Sequence, residues 1–247
     1  MIITPINSTE SAVHLSGWLD GVDAVRDVWP ISATTGTIPI PEILRSVSVS
    51  SSHGGDNPDG VGAHEILLEG LDSNYDMIGE NITMNGQTPV PSLYEYRAIN
   101  SIEVTDAGTQ TYSSGDVYAG IGTVTSGVPA TPYHVMMGSY GRSENLCFTV
   151  PRNHTLEIES ISVVPTTIAT TSLQWQLVKS DIVDAQQLQQ TIYTSMYRST
   201  QFENIQKFDR PIVFNEKTTL IMSVQQLNSN GVVRAYVVGK LKSYSSR

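Results

Sequence analysis

Apolar residues along this chain come in short runs separated by clusters of Gly, Pro, Asn and Ser, which is the spacing of strands and turns. Strands are predicted near Ile43–Ser50, His64–Leu71, Asp76–Met84, Leu93–Thr105, Asp116–Val124, His134–Ser139 and Asn145–Val150. Further strands are predicted near Thr155–Val164, Ser172–Lys179, Thr191–Tyr197, Pro211–Phe214, Thr218–Gln226 and Val232–Leu241. Only Asp181–Gln190 reads as a helix, with Asp181 as its cap and Ile182, Ala185 and Leu188 three apart. Many short strands in succession predict an all-β sandwich or barrel.

The segment His64–Gly86 carries the densest information. An aliphatic run centred on Ile66, Leu67 and Leu68 meets the turn formers Leu71-Asp72-Ser73-Asn74-Tyr75-Asp76, and a second run closes on Asn85-Gly86. Asn-Gly favours type I′ turns, which need positive φ at both central residues, so the segment reads as a β-meander. Farther on, Ser126–Pro132 holds two prolines and a glycine, and is the best candidate for a linker. The first 40 residues have weak periodicity and place Trp18 and Trp29 among polar residues. They read as an extended arm that buries its tryptophans elsewhere, or equally as an ordinary strand pair of the first sandwich.

A loose internal repeat, aliphatic-x-Ser-aliphatic-x-Val, occurs at Leu44–Val49, Ile99–Val104 and Ile158–Val163, with a partial copy at Ile221–Val224 (Ile99 is followed by Asn100-Ser101). Its first two aliphatics are three apart, which breaks strict alternation; a β-bulge there would return both to one face.

Composition refines the picture. Of 247 residues only 15% are charged, and Ser, Thr, Gly, Asn and Gln take up the difference, as suits strand-and-turn proteins. Residues 1–128 hold 16 acids and 3 bases, whereas residues 129–247 hold 8 acids and 11 bases. The acidic half repels nucleic acid, and the small positive excess of the other half is no electrostatic footprint for DNA. No apolar run reaches the length of a membrane-spanning helix, and the N-terminal residues lack the basic and apolar regions of a secretory signal. The one cysteine, Cys147, lies in an apolar run and reads as a buried small hydrophobe.

The chemistry-bearing candidates are few. His53, Asp56, Asp59, His64 and Glu65 offer imidazole and oxygen donors of the kind that hold a cation. They lack the ligand order of a calcium loop, and Asn57-Pro58-Asp59-Gly60 is explained as a turn, so the segment reads as a polar surface loop. His134 and His154 stand alone in strand-like contexts and read as structural. Tyr133, Tyr140, Tyr193 and Tyr197 suit packing or an interface better than a sugar-stacking surface. No nucleophile elbow and no phosphate loop is present. No catalytic, cofactor-binding or metal-binding residue is assigned, and no cofactor is expected.

The Gly70-Leu71-Asp72-Ser73-Asn74-Tyr75-Asp76 hairpin, followed by Arg97-Ala98-Ile99-Asn100 and Val104-Thr105-Asp106-Ala107-Gly108, resembles a motif of jelly-roll virion structural proteins of tailed, marine-type bacteriophages. Leu146–Val163 and Phe208–Lys242 are similar to segments of the same family, and together the resemblance covers roughly residues 63–108 and 145–242. It implies an all-β chain of two jelly-roll-like antiparallel β-sandwiches: an N-terminal arm over 1–40, an acidic sandwich over 41–128 and a C-terminal sandwich over 129–247. The implied role is a non-enzymatic virion structural protein, foremost a capsid decoration or cement protein on the outside of a phage head. A collar, head-fibre or tail-associated component is one alternative, and a glycan- or receptor-binding module is another. The expected partners are the major capsid protein or other virion proteins and further copies of this chain, a trimer by analogy, with neither nucleic acid nor membrane. The charge split adds the expectation that the C-terminal half, through Lys207, Arg210 and Lys217, docks on the particle.

Overall fold

The structure, a computed structural model, describes residues 1–7, 9–19, 26–29, 38–39, 44–165, 171–183, 186–199, 204–226 and 232–244. Within them every regular element is a strand and every pairing is antiparallel. The chain forms two compact units: residues 1–38 with 145–247, and residues 39–144. The second is inserted in the sequence of the first.

The discontinuous unit contains β1 (Ile2–Pro5), β2 (Glu10–Leu19) and β3 (Arg26–Asp27) before the insertion. After it come β11 (Cys147–Thr149), β12 (His154–Pro165), β13 (Thr171–Val183), β14 (Gln186–Ser199), β15 (Asn204–Phe214), β16 (Thr219–Gln226) and β17 (Val233–Ser243). Pairing is nested: β2 with β17, β11 with β16, β12 with β15, and β13 with β14. The two sheets therefore run β1-β2-β17-β12-β15 and β11-β16-β13-β14, with β3 beside β16. Taking the eight principal strands in chain order, the sheets read 1-8-3-6 and 2-7-4-5, the strand order of a jelly roll, a double-sheet fold of two Greek keys. Val13, Leu15, Phe148, Leu156, Ile158, Phe214 and Val237 are among the residues that fill its core.

The inserted unit comprises β4 (Arg45–Ser51), β5 (Ala63–Leu71), β6 (Met77–Thr83), β7 (Val90–Tyr96), β8 (Ala98–Ala107), β9 (Val117–Thr125) and β10 (Val128–Met136). Its sheets are β10-β9-β4-β7 and β6-β5-β8. Alternation along β4 and β5 turns Val47, Val49, Ile66 and Leu68 inward, where they meet Ile82, Met84, Tyr96, Ile102, Val117 and Met136.

Five sequence expectations change. The N-terminal residues are no arm: β1 pairs with β2, and β2 pairs with β17 of the C-terminal sandwich along Val233↔Leu19 to Lys242↔Glu10. The boundary expected after residue 128 falls between 144 and 145. The proposed linker is instead a two-residue hairpin: Ser126 and Gly127 take φ of 50° and 80°, and Val128 pairs with Thr125. Pro129 and Pro132 are tolerated because β10 is an edge strand with register shifts beside both. The helix expected over Asp181–Gln190 is strand: Asp181–Val183 ends β13 and Gln186–Gln190 begins β14, with Val183 opposite Gln186, while residues 184–185 lie outside the described residues. Pairing of two long strands overrides a three-residue spacing that one short apolar run supports weakly. Finally, Asn85-Gly86 connects strands of different sheets; Gly86, at φ 56°, is a corner whose N–H donates to Asp56 O and whose carbonyl accepts from Ser51 N.

The bulge inferred from the repeat is present in two copies. The register skips Glu159 between Ile158↔Gly239 and Ser160↔Val238, and skips Asn100 between Gly70↔Ile99 and Glu69↔Ser101. Ile158 with Ile161, and Ile99 with Ile102, accordingly all face inward.

Candidate functional site

The donor-bearing segment His53–Glu65 lies wholly in the inserted unit. Asp56 is fully buried, yet its carboxylate is saturated. Oδ1 accepts from Ala63 N at 2.8 Å and Ser114 N at 2.7 Å, and Oδ2 accepts from Gly115 N at 2.9 Å and from the Ser51 hydroxyl. Four donors offset the desolvation of one charge and tie the 52–62 loop to the 108–116 loop. The rest of the His53–Glu65 segment is also turned on itself. Gly55 N donates to His53 Nδ1, Asp59 N donates to Asn57 Oδ1, and Asn57 Nδ2 donates to Gly54 O. Among the described residues no group of three or more His, Cys, Asp and Glu side chains is placed to hold a metal ion.

His64 projects from the same segment. Its Nδ1 lies 3.2 Å from Asp106 Oδ2 and its Nε2 lies 2.9 Å from Gly60 O. The Gly60 carbonyl first, and then Asp106 and Asp59, raise its pKa above 6.5 against the opposing effect of burial.

The carboxylates flanking the hairpin are half-buried and hydrogen-bonded within the unit. Glu65 accepts from the Thr105 hydroxyl and Glu69 from the Ser101 hydroxyl, both across the β5–β8 pair, and Glu103 pairs with Arg142. Asp72 Oδ1 accepts from Asn74 N and Asp76 N, closing the turn in which Tyr75 takes φ of 64°. Arg97 lies over the Tyr75 ring, 5.7 Å from its centroid, and its Nε donates to the Tyr75 hydroxyl. The recognised motif is thus a folding unit: Asp72 shapes the turn, and Tyr75 and Arg97 lock it to the strand that follows.

Glu80 fastens the edge where β6 and β7 meet. Its carboxylate accepts from Leu93 N, Tyr94 N and the Tyr96 hydroxyl. Between Ser46↔Glu95 and Ser48↔Pro91 the strand β7 carries three residues against one of β4, a bulge over Ser92–Tyr94. Ser92 Oγ accepts the Val47 N–H left over and donates to Tyr94 O. The outcome is a projection with Leu93 80% exposed, not legible in the sequence because the bulge depends on cross-strand partners.

The remaining candidates are structural. His134 is fully buried; the Ser143 hydroxyl, which accepts from Ile102 N, lies 2.9 Å from its Nε2, and burial lowers its pKa to about 3. It is therefore neutral, with Nε2 hydrogen-bonded to the Ser143 hydroxyl. Tyr133 packs in the inserted unit's core with Tyr140 against it, whereas the side chains of Tyr193 and Tyr197 lie outside the described residues. His154 Nδ1 is 2.7 Å from Arg152 O, and Cys147 is buried and forms no disulfide.

Counted by compact unit, the charge divides differently from the two halves of the sequence. The inserted unit holds 13 acids and 3 arginines, a net of −10; the discontinuous unit holds 11 acids and 11 bases, a net of zero.

No protein-family model and no curated relative matches the chain. Among solved structures it is similar to the T=1 particles derived from infectious bursal virus, at 8% identity over 97% of this chain and 75% of that one, with a TM-score of 0.25. It is also similar to the VP2 subviral particle of infectious bursal disease virus, at 9% identity over 100% and 79% of the two chains, with a TM-score of 0.22. Scores this low carry no argument.

Proposed function

We propose that this chain is a non-enzymatic virion structural protein, and within that class a capsid decoration protein on the outside of a phage head. The observation that carries the reading is the agreement of two independent lines: the phage-type motifs of the sequence, and a nested strand order that makes the C-terminal sandwich a jelly roll. Jelly rolls also serve as lectin domains and cupins, so the fold alone assigns no function. The site residues add support of a different kind. The carboxylates of Glu65, Glu69, Asp72 and Glu80 hold the unit together, and the exposed features are apolar projections suited to contact, Leu93 foremost.

The charge distribution revises the orientation read from the sequence. Docking through the C-terminal half rested on an excess of bases that disappears once residues 1–38 are counted with their own unit. The strong field belongs to the inserted unit, which is suited to a basic partner surface.

Quantitative mass spectrometry of purified particles tests the reading. On the order of hundreds of copies per particle supports decoration, whereas about a dozen, the copy number of a cyclic assembly at one vertex, supports a collar or tail component. Absence from the particle overturns it. Binding to host polysaccharide by calorimetry, without particle association, would favour the glycan-binding alternative.

A further inference from the structure

We propose that His64 is a proton-operated latch between the Asn57–Val61 loop tip and strand β8. The geometry of its ring requires it. Nδ1 faces the Asp106 carboxylate and Nε2 faces the Gly60 carbonyl, and both of these groups only accept hydrogen bonds. A neutral imidazole carries one N–H and satisfies one of them; the imidazolium satisfies both. The loop and the strand are therefore joined through His64 only while the ring is protonated.

The backbone fixes this arrangement. Ala63 pairs with Ala107 and Glu65 with Asp106, so His64 is the unpaired residue of a bulge, a position that re-aims a side chain. Every charged group named as acting on the ring is acidic: Asp106 from β8 and Asp59 from the loop. Glu65 on its own strand is bonded to Thr105, and the neighbouring β6 side contributes the uncharged Thr83 and Met84.

The base of the loop does not depend on the latch, because Asp56 holds it through backbone N–H groups at Ala63, Ser114 and Gly115. Val61 O separately accepts from Gln110 N, and Gly62 O from Gly108 N, so deprotonation acts on the tip at Gly60 and the exposed Asp59. The sign follows from a pKa raised on folding: both bonds are present below 6.5, and one is lost as pH rises through the higher folded value. The displayed surface therefore differs below and above the folded pKa of His64.

NMR titration of the full chain between about pH 5 and pH 9 tests the latch, following the His64 ring and the backbone amides of Asp59, Gly60 and Val61. The expected result is a His64 midpoint above 6.5, with the tip amides moving at that same midpoint while the Gly86 amide, held by Asp56 O, does not. Asp106→Asn is expected to lower the midpoint, and His64→Gln to abolish the pH response of the tip. A wild-type midpoint at or below 6.5, or tip amides that ignore the ring's titration, overturns the proposal without recourse to either variant.

Discussion

Asp56 is the residue on which the inserted unit's loops converge, and its energetics follow from its donors. An asparagine there keeps the shape but has a single acceptor oxygen and turns an NH2 group toward backbone amides. Asp56→Asn is expected to destabilise the chain by about 2–3 kcal/mol in urea unfolding, against a change within about 0.5 kcal/mol for the exposed Asp59→Asn. His134 gives a pH signature of opposite sign to that of His64. Its folded pKa, about 3, lies below the usual 6.5, so its burial costs nothing extra above 6.5. As pH falls from 6.5 toward 3, the unfolded chain gains a proton that the folded one refuses. Stability is expected to drop by up to about 1.4 kcal/mol per pH unit in that window from this residue. His134→Gln, which retains a hydrogen-bonding group for Ser143, should flatten that part of the profile.

At the scale of elements, the β7 bulge and the Ser126-Gly127 hairpin are built by side chains and backbone acting together. Glu80→Ala leaves the buried Tyr96 hydroxyl and two edge amides without their carboxylate, and is expected to cost about 1–2 kcal/mol in thermal or urea unfolding. Leu93→Asp, thirteen residues away on the bulge that Glu80 holds, should change stability by no more than about 0.5 kcal/mol, because Leu93 is 80% exposed and supports nothing in the core. Gly127→Ala is expected to be strongly destabilising: φ is 80°, and a Cβ there would meet Ser51 O at 1.8 Å. Strands were legible in the sequence wherever one face is apolar and the other polar, as in β5. The bulges at Asn100 and Glu159 were legible because they leave a three-residue step between inward aliphatics. The β7 bulge left no such mark, since its one buried residue, Ser92, is polar and adds no step between inward aliphatics. The false helix arose where β13 and β14 meet, in a stretch whose polarity fits neither period well.

At the scale of the whole molecule, the insertion is the main fact. The inserted unit has its own core and two sheets. Expressed alone, this segment is expected to unfold cooperatively, as a domain with its own core should. Its net charge of −10 repels itself, so its Tm should rise as NaCl screens the acids, whereas the neutral discontinuous unit has no such net repulsion to relieve. A fragment that stays unfolded under all salt conditions would show that the unit needs the rest of the chain.

Alternating short apolar runs by themselves determined the all-β class, most strand positions and the turn at Asp72–Asp76, because these depend on neighbours a few residues apart. The composition likewise determined that acids outnumber bases in the first half. Only the tertiary structure decided that Glu10–Leu19 belongs beside Val233–Ser243, because a strand's partner is chosen by complementary faces more than two hundred residues away. The same closure decided which acids share a unit, turned Asp56 into a buried anchor, and set a carboxylate and a carbonyl on opposite sides of the His64 ring. Local sequence fixes what each segment can pair as; the free energy of burying both faces of each sheet fixes what it does pair with.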